Sequence, residues 1–288
     1  MDLNTLQIFK AVADERSFSR AAVQLGRTQP AISLAVQRLE HELGEPLVDR
    51  STRKLTLTDA GRMVHDYARQ FDNLTESMAV SLSELRDHHA GQLIVGANES
   101  TALYLLGHIA TYRQRYPRVR ILVRRSLSSK IPNEILEGDL ELGVVSYQPA
   151  DERITSREIY RDHLAFVVSP QHRLAKKKSV VIGDLGMETF IAHNVISPYR
   201  ERVVSEFQRR NVPLNREIEM PTIETIKKLV QQNQGVAFLP HMCVAPEIAQ
   251  GQLNEVPVSD LHIERKIYLV FPAQRRLSHA ARAFLGLL

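Results

Sequence analysis

Gln29, Ser33 and Gln37 stand four residues apart, so on a helix they share one face, with Leu34 and Arg38 beside it. These are side chains that read nucleic acid. Glutamine pairs bidentately with adenine, serine bonds base edges or phosphate, and arginine takes guanine or phosphate. A basic run follows, Arg50-Ser51-Thr52-Arg53-Lys54, whose three cations suit phosphates or a narrow minor groove. A second chemistry lies further along. Ser100 and Thr101, Ser128 and Ser129, Ser197 and Thr222 each stand where a helix is expected to begin. Hydroxyls plus the free N–H groups of a helix start form a seat for a carboxylate or phosphate, and Arg200 adds charge near Ser197. Each feature has an ordinary alternative: a solvated polar face, a solvated loop, or plain helix caps.

Periodicity supplies the elements that would position these groups. Leu3, Leu6, Phe9, Val12 and Ala13 form one apolar stripe at helical spacing. Ser17 or Ser19 caps a second helix carrying Ala21, Ala22, Val23 and Leu25, which Gly26 ends. Thr28 caps a third, with Pro30 in its first turn, where the missing N–H costs nothing. This helix buries Ile32, Ala35, Val36, Leu39 and Leu43 and stops at Gly44 and Pro46. Two short helices joined by a tight turn containing glycine read as a helix-turn-helix over about 18–37, and the N-terminal residues of its second helix are those that reach base edges. Leu47-Val48-Asp49 and Leu55-Thr56-Leu57 bracket the basic run as a hairpin with a cationic tip.

Residues 58–89 contain no proline and only Gly61. Ala60, Val64, Tyr67, Phe71, Leu74, Met78, Ser81 and Leu85 alternate spacings of four and three, a heptad pattern interrupted once by a polar residue. The helix would reach about 45 Å at 1.5 Å per residue. It either lies on its own domain or pairs two chains. Pairing is favoured because so narrow a stripe has little else to bury against, and it would bring two recognition helices to successive major grooves about 34 Å apart. From Gly91 onward strand-like runs (93–96, 119–123, 140–145, 164–168, 236–239, 267–271) alternate with amphipathic helices, which predicts an α/β fold with mainly parallel sheets. Ligands of such folds sit beyond the carboxyl ends of strands.

The segments Leu25-Gly26-Arg27-Thr28-Gln29-Pro30-Ala31-Ile32-Ser33, Leu39-Glu40-His41-Glu42-Leu43-Gly44, Leu47 to Arg50 and Leu57-Thr58-Asp59-Ala60-Gly61 resemble, colinearly over about 60 residues, the winged helix of LysR-type transcriptional regulators. Val48 stands where that family usually has phenylalanine. Later segments are consistent with the family, so the resemblance covers the whole chain. It implies an all-α winged helix-turn-helix DNA-binding domain over 1–58 and a linker helix for dimerisation over 59–89. An α/β effector domain similar to periplasmic binding proteins would follow over 91–288. One of its subdomains would span about 91–162 plus 267–288, the other about 163–266. The DNA contacts it implies are Arg27, Thr28, Gln29, Pro30, Ser33, Gln37, Arg38, Arg50, Arg53 and Lys54. Dimerisation falls to Val64, Tyr67, Phe71, Leu74, Met78 and Leu85, and effector binding to Ser100, Thr101, Ser128, Ser129, Ser197 and Thr222. The partners implied are double-stranded DNA with an interrupted palindrome, a second copy in a homodimer or homotetramer, RNA polymerase, and a small organic anion as effector. No cofactor is expected.

Composition bounds these readings. A chain of 288 residues predicts about two domains, and 43% hydrophobic with 24% charged residues suits a packed core. The net charge of +4 is unevenly placed: 1–90 carry −2 and 91–288 carry +6. DNA contact would therefore use a local patch, while the larger part carries either a solvated basic surface or a cleft for an anion. The single cysteine, Cys243, excludes an intrachain disulfide. The lack of a long apolar run and of a signal-like N-terminus predicts a soluble cytoplasmic protein. No phosphate loop or GxSxG elbow occurs, so no enzyme is expected. His241-Met242-Cys243 is too sparse for zinc, and no metal is expected. The competing classes are a DNA-binding protein with no effector response and a solute-binding protein; the DNA module and the absent signal peptide contradict the second.

Overall fold

A computed structural model describes residues 2–49, 55–86, 91–195 and 197–288. The chain divides into two compact units, one of 1–91 with 133–140 and the other of 92–132 with 141–288. In the first, the Asp2 carboxylate accepts from Thr5 N–H at 2.6 Å and starts α1 (Leu3–Glu15). Ser17 accepts from Arg20 N–H and starts α2 (Phe18–Gln24), so Ser17 and not Ser19 is the cap. Thr28 occupies the cap position of α3 (Gln29–Leu43), but its side chain makes no capping bond; Pro30 in the first turn helps set that start instead. Gly44 ends α3 at φ 73°, a left-handed conformation that glycine adopts without strain. Phe9, Val12, Ala21, Ile32, Val36 and Leu39 fuse the three helices into one core. Leu43, expected inside, is exposed, as is Val23 of α2.

The wing is present as an antiparallel pair, β1 (Val48–Asp49) with β2 (Thr56–Leu57). The Glu40 carboxylate of α3 accepts from Leu47 N–H at 2.8 Å and Val48 N–H at 3.1 Å, holding the root of the wing. α4 (Asp59–Arg86) starts where the Thr58 hydroxyl accepts from Gly61 N–H at 2.9 Å and donates to Pro46 O at 2.6 Å. The heptad reading needs correction at its N-terminal end. Ala60 and Val64 pack against the three-helix core, with Ala68 fully inside it, because the first turns of α4 cover α1. Val64 therefore serves its own unit.

From residue 91 the chain runs through β3 (Gly91–Ala97), α5 (Glu99–Arg115), β4 (Val119–Arg125), α6 (Ile131–Glu137, which belongs to the first unit from residue 133), β5 (Leu142–Val145), β6 (Ile154–Val168), β7 (Thr189–His193), α7 (Pro198–Arg209), β8 (Asn215–Met220), α8 (Ile223–Gln231), β9 (Ala237–Pro240), α9 (His241–Ala249), β10 (Asn254–Glu255), β11 (Glu264–Pro272) and α10 (His279–Leu285). A sheet is ordered β10-β6-β11-β5-β3-β4 with β9 also on β6, and β7 and β8 form a separate parallel pair. The expectation of mainly parallel sheets fails. β6 pairs antiparallel with β11, β9 and β10, and β11 antiparallel with β5. β6 and β11 lie about a hundred residues apart, and alternation of strands and helices carries no signal for so distant a pairing. Residues 154–163 of β6 pair with β11, whereas 164–168 pair with β9 and β10. Along that second half Ala165 and Val167 enter one core while Phe166 and Val168 enter another, the period of two of a strand buried on both faces. A third core gathers Leu93, Tyr112, Leu142, Ile267 and Phe284.

Gly61 tests how closely α4 must approach the wing. A Cβ there would lie 2.0 Å from Leu47 O. Gly61→Ala gains about 1 kcal/mol of helix propensity but forces backbone apart in a packed region, at a typical cost of about 1–3 kcal/mol. The expected outcome is a lower Tm by calorimetry; an equal or higher Tm would show the approach to be slack.

Candidate nucleic-acid face and ligand cavity

On α3, Gln29, Pro30, Gln37 and Arg38 are exposed and Ser33 is half-buried. Gln29, Ser33, Gln37 and Arg38 have no side-chain partner among the described residues. Arg27 and Thr28 are also exposed, but the Arg27 guanidinium already donates to Asn4 Oδ1 at 3.0 Å. Arg50, Arg53 and Lys54 lie outside the described residues. On α4, Tyr67, Phe71, Leu74 and Met78 are 56%, 41%, 62% and 59% exposed. Large apolar groups so placed on one helix face form a stripe with nothing of their own unit over it. The Leu85 side chain is outside the described residues.

The second unit encloses a cavity of about 450 Å³, well within the size range of small-molecule sites. Leu164, Phe190 and Phe238 make its walls apolar, and its lining includes four arginines, Arg125, Arg200, Arg216 and Arg265, against one acidic residue, Glu99. The four differ in how committed they are. Arg265 is buried and opposes Asp162 in strand register, Nη1 donating to the Asp162 carboxylate at 2.5 Å. Its Nη2 donates to Ser100 Oγ at 3.2 Å, its guanidinium lies 5.1 Å from the Tyr199 ring centroid, and its Nε has no partner among the described residues. Arg200 donates to His193 O and pairs with Glu219. Arg125 and Arg216 are exposed and form no ion pair among the described residues.

Glu99 occupies the position that a ligand anion was expected to take. One oxygen accepts from Ile223 N–H at 2.9 Å, at the first residue of α8, and the other lies 3.4 Å from His193 Nε2. Val195 N–H donates to His193 Nδ1, so the ring proton faces Glu99. Burial raises the Tyr199 hydroxyl above its ordinary range, leaving it neutral, and it donates to Ser146 O.

Of the expected effector residues, Ser100 and Ser197 line the cavity. Thr101 does not. It is wholly buried in a capping box with Asn98, and its hydroxyl donates to Val144 O at 3.0 Å. Thr222 Oγ1 accepts from Thr225 N–H as a cap, and Ser128 Oγ accepts from Asn98 Nδ2; neither they nor Ser129 reach the cavity wall. Ser197 itself also caps α7, accepting from Arg200 N–H. Thr222 and Ser197 show one cause: a hydroxyl at a helix start serves the nearest orphan N–H. Arg125, Arg216, Arg265, Glu99 and His193 were missed because they converge from strands and helices far apart in sequence; only the +6 charge of 91–288 hinted at them. Cys243 is buried, its thiol pushed up to about 12 by desolvation, so it stays protonated and a poor nucleophile.

Residues 3–62 match the family described as bacterial regulatory helix-turn-helix protein, lysR family, and residues 86–288 match the LysR substrate binding domain. A relative from Trichormus variabilis, named "Probable RuBisCO transcriptional regulator", is 33% identical over 98% of this chain and 86% of its own. Among solved structures, full-length CbnR complexed with its target DNA superposes at a TM-score of 0.75 and 18% identity, covering 100% of this chain and 98% of that one. The CcmR regulatory domain of Synechocystis PCC6803 in complex with 2-PG superposes at 0.61 and 22% identity, covering 68% of this chain and 94% of that one. At these identities the structures speak for the fold. Among the described residues no helix is long and apolar enough to cross a membrane.

The buried Arg265–Asp162 pair carries a stability prediction. Arg265→Ala leaves the Asp162 charge buried without its partner, at a cost of about 3–5 kcal/mol. Chemical denaturation is expected to show that loss, and the double variant Arg265→Met with Asp162→Leu is expected to recover only part of it, because Met242 N–H then loses its acceptor. A loss under 1 kcal/mol in the single variant would show that water reaches Asp162.

Proposed function

The chain belongs to the LysR family of helix-turn-helix transcriptional regulators, and from that premise we propose a regulator that binds a small organic anion in the 450 Å³ cavity and changes its hold on DNA in response. The observation that carries the reading is the lining of the cavity: beside Arg200 and Arg265, which are paired with Glu219 and Asp162, it includes Arg125 and Arg216, which form no ion pair among the described residues, and one acidic residue, Glu99. A ligand of carboxylate or phosphate chemistry gains charge-assisted, bidentate hydrogen bonds there, and the aromatic walls exclude water around it. The family relatives are transcriptional regulators, which favours this reading over catalysis. 2-PG, present in the CcmR regulatory domain, is the first anion to test.

DNA recognition falls to the free face of α3, with Gln29 and Ser33 on base edges and Arg38 on phosphate or guanine. Arg50, Arg53 and Lys54 of the wing loop serve phosphates. Residues 1–58, 59–89 and 91–288 are assigned as DNA-binding, linker and effector segments. Tyr67, Phe71, Leu74 and Met78 are assigned to pairing of two copies, since their exposed stripe has the width of a coiled-coil seam.

Three measurements test this function. Gln29→Ala is expected to cost about 1–3 kcal/mol at one base pair and to relax preference there. A selection experiment in which preference is unchanged would move readout off this face. Phe71→Glu places a charge in the seam and is expected to yield a monomer with weakened operator binding; an unchanged sedimentation coefficient refutes the seam. Arg125→Gln with Arg216→Gln is expected to weaken anion binding about tenfold to a hundredfold, the range of a charged hydrogen bond, with Tm and ligand-free DNA binding unchanged. Calorimetric titration with 2-PG and a panel of small carboxylates checks it. If no anion binds the wild-type chain, the effector reading falls and a regulator without an effector remains.

A further inference from the structure

We propose that His163, His241 and Glu255 form a binding site for one divalent first-row transition-metal ion of the zinc class. The three come from separate segments: His163 from β6, His241 from the first residue of α9, Glu255 from β10. Their ligand atoms all lie within 4.8 Å of one another. His163 Nε2 is 2.9 Å from one Glu255 oxygen and His241 Nδ1 is 2.9 Å from the other. The two imidazoles stack, centroids 4.7 Å apart and planes at 22°.

Two rings aimed at one carboxylate are a set of lone-pair donors bridged by protons. A metal ion can replace those protons: each neutral imidazole moves its proton to its other nitrogen and gives the freed lone pair to the ion. Around a tetrahedral zinc ion with bonds of about 2.0–2.2 Å the ligand atoms stand about 3.3 Å apart. Each nitrogen already lies closer than that to one Glu255 oxygen, but to a different one, so the carboxylate must turn a single oxygen toward both rings while the nitrogens draw together. The side chains can do so, being 37%, 34% and 26% exposed. Two imidazoles with one carboxylate select zinc and its neighbours over magnesium or calcium, which prefer oxygen alone. Three protein ligands leave a fourth position for water. The ring of His262 lies with its centroid 6.4 Å from that of His163.

The place of the site gives an ion a consequence. His163 and His241 adjoin Leu164 and Pro240, which face each other in strand register and both line the cavity. A bound ion would fasten β10 and the start of α9 to β6 directly behind that wall.

The test uses the full-length, tag-free chain, dialysed against zinc and then against metal-free buffer, with bound metal measured by elemental analysis. Cobalt is substituted in parallel for its visible absorption. The expected result is one equivalent of zinc and an intense tetrahedral cobalt spectrum, both lost in His163→Ala and Glu255→Gln and both kept in His108→Ala, a control beside Tyr104. His241→Gln repeats the test should His163→Ala fold poorly, which circular dichroism without metal will show. A wild-type chain that retains no zinc overturns the proposal. So does an equivalent that survives unchanged in the His163, His241 and Glu255 variants.

Discussion

The cavity depends on one buried ion pair. Arg265 and Asp162 face each other across β11 and β6, and both are withdrawn from water. Removing two charges from water costs several kcal/mol each, and only close geometry with further hydrogen bonds returns it. Here the further bonds are also the architecture. Asp162 accepts from Met242 N–H at 3.2 Å and so fixes the start of α9. Arg265 donates to Ser100 in the first turn of α5 and lies against Tyr199 in the first turn of α7. One guanidinium and one carboxylate thus tie three helix starts to two strands. A pair of apolar residues could fill that volume but could not satisfy those groups, which ties the fold around the cavity to a fixed positive charge in its wall.

That arrangement alters where an anion gains its energy. Helix starts are general anion seats because their first N–H groups lack partners. Around this cavity the starts of α5, α7, α8 and α9 are already served by Asn98, Ser197, Thr222 with Glu99, and Asp162. Glu99 is the telling case. It places a carboxylate of the chain's own on the α8 N-terminus, at the distance a ligand would adopt. An entering anion meets guanidiniums and must compete with Glu99 for the α8 terminus. Selectivity for such an anion would then rest on the bidentate geometry of arginine, which distinguishes planar carboxylates and phosphates from halide better than a diffuse helix field can.

Much of the first unit was legible in its sequence because its contacts are local. Apolar spacing placed α1 to α3, the Gly26 and Gly44 stops were readable, and the polar face at 29, 33 and 37 appeared where it was expected. The heptad was over-read at one end because Val64 obeys two patterns at once, a seam and a core, and sequence spacing has no means of separating them. The candidate site was legible only in its sign. Excess positive charge pointed to an anion, but Arg125, Arg216 and Arg265 lie on segments up to 140 residues apart, and their convergence depends on the β6–β11 pairing that alternation of strands and helices mispredicts. Of the expected hydroxyls Ser100 and Ser197 do line the cavity, whereas Thr101 and Thr222 are spent on bonds at their own helix starts.

The same preference for local satisfaction shapes the junction between α3 and α4. Glu40 of α3 holds the N–H groups of Leu47 and Val48. Thr58 donates to Pro46 O, and Gly61 seats against Leu47 O. The face of α3 and the direction of α4 are therefore linked through three residues, 46–48, whose backbone groups are bonded to both helices. Such a linkage has few soft dihedrals left to absorb a rotation. A second copy seated on the 67–78 stripe would fix the separation and angle of the two α3 faces along with the seam itself. Spacing between half-sites on DNA would then become a property of how α4 pairs, and a change in that pairing would reach the α3 faces through residues 46–48.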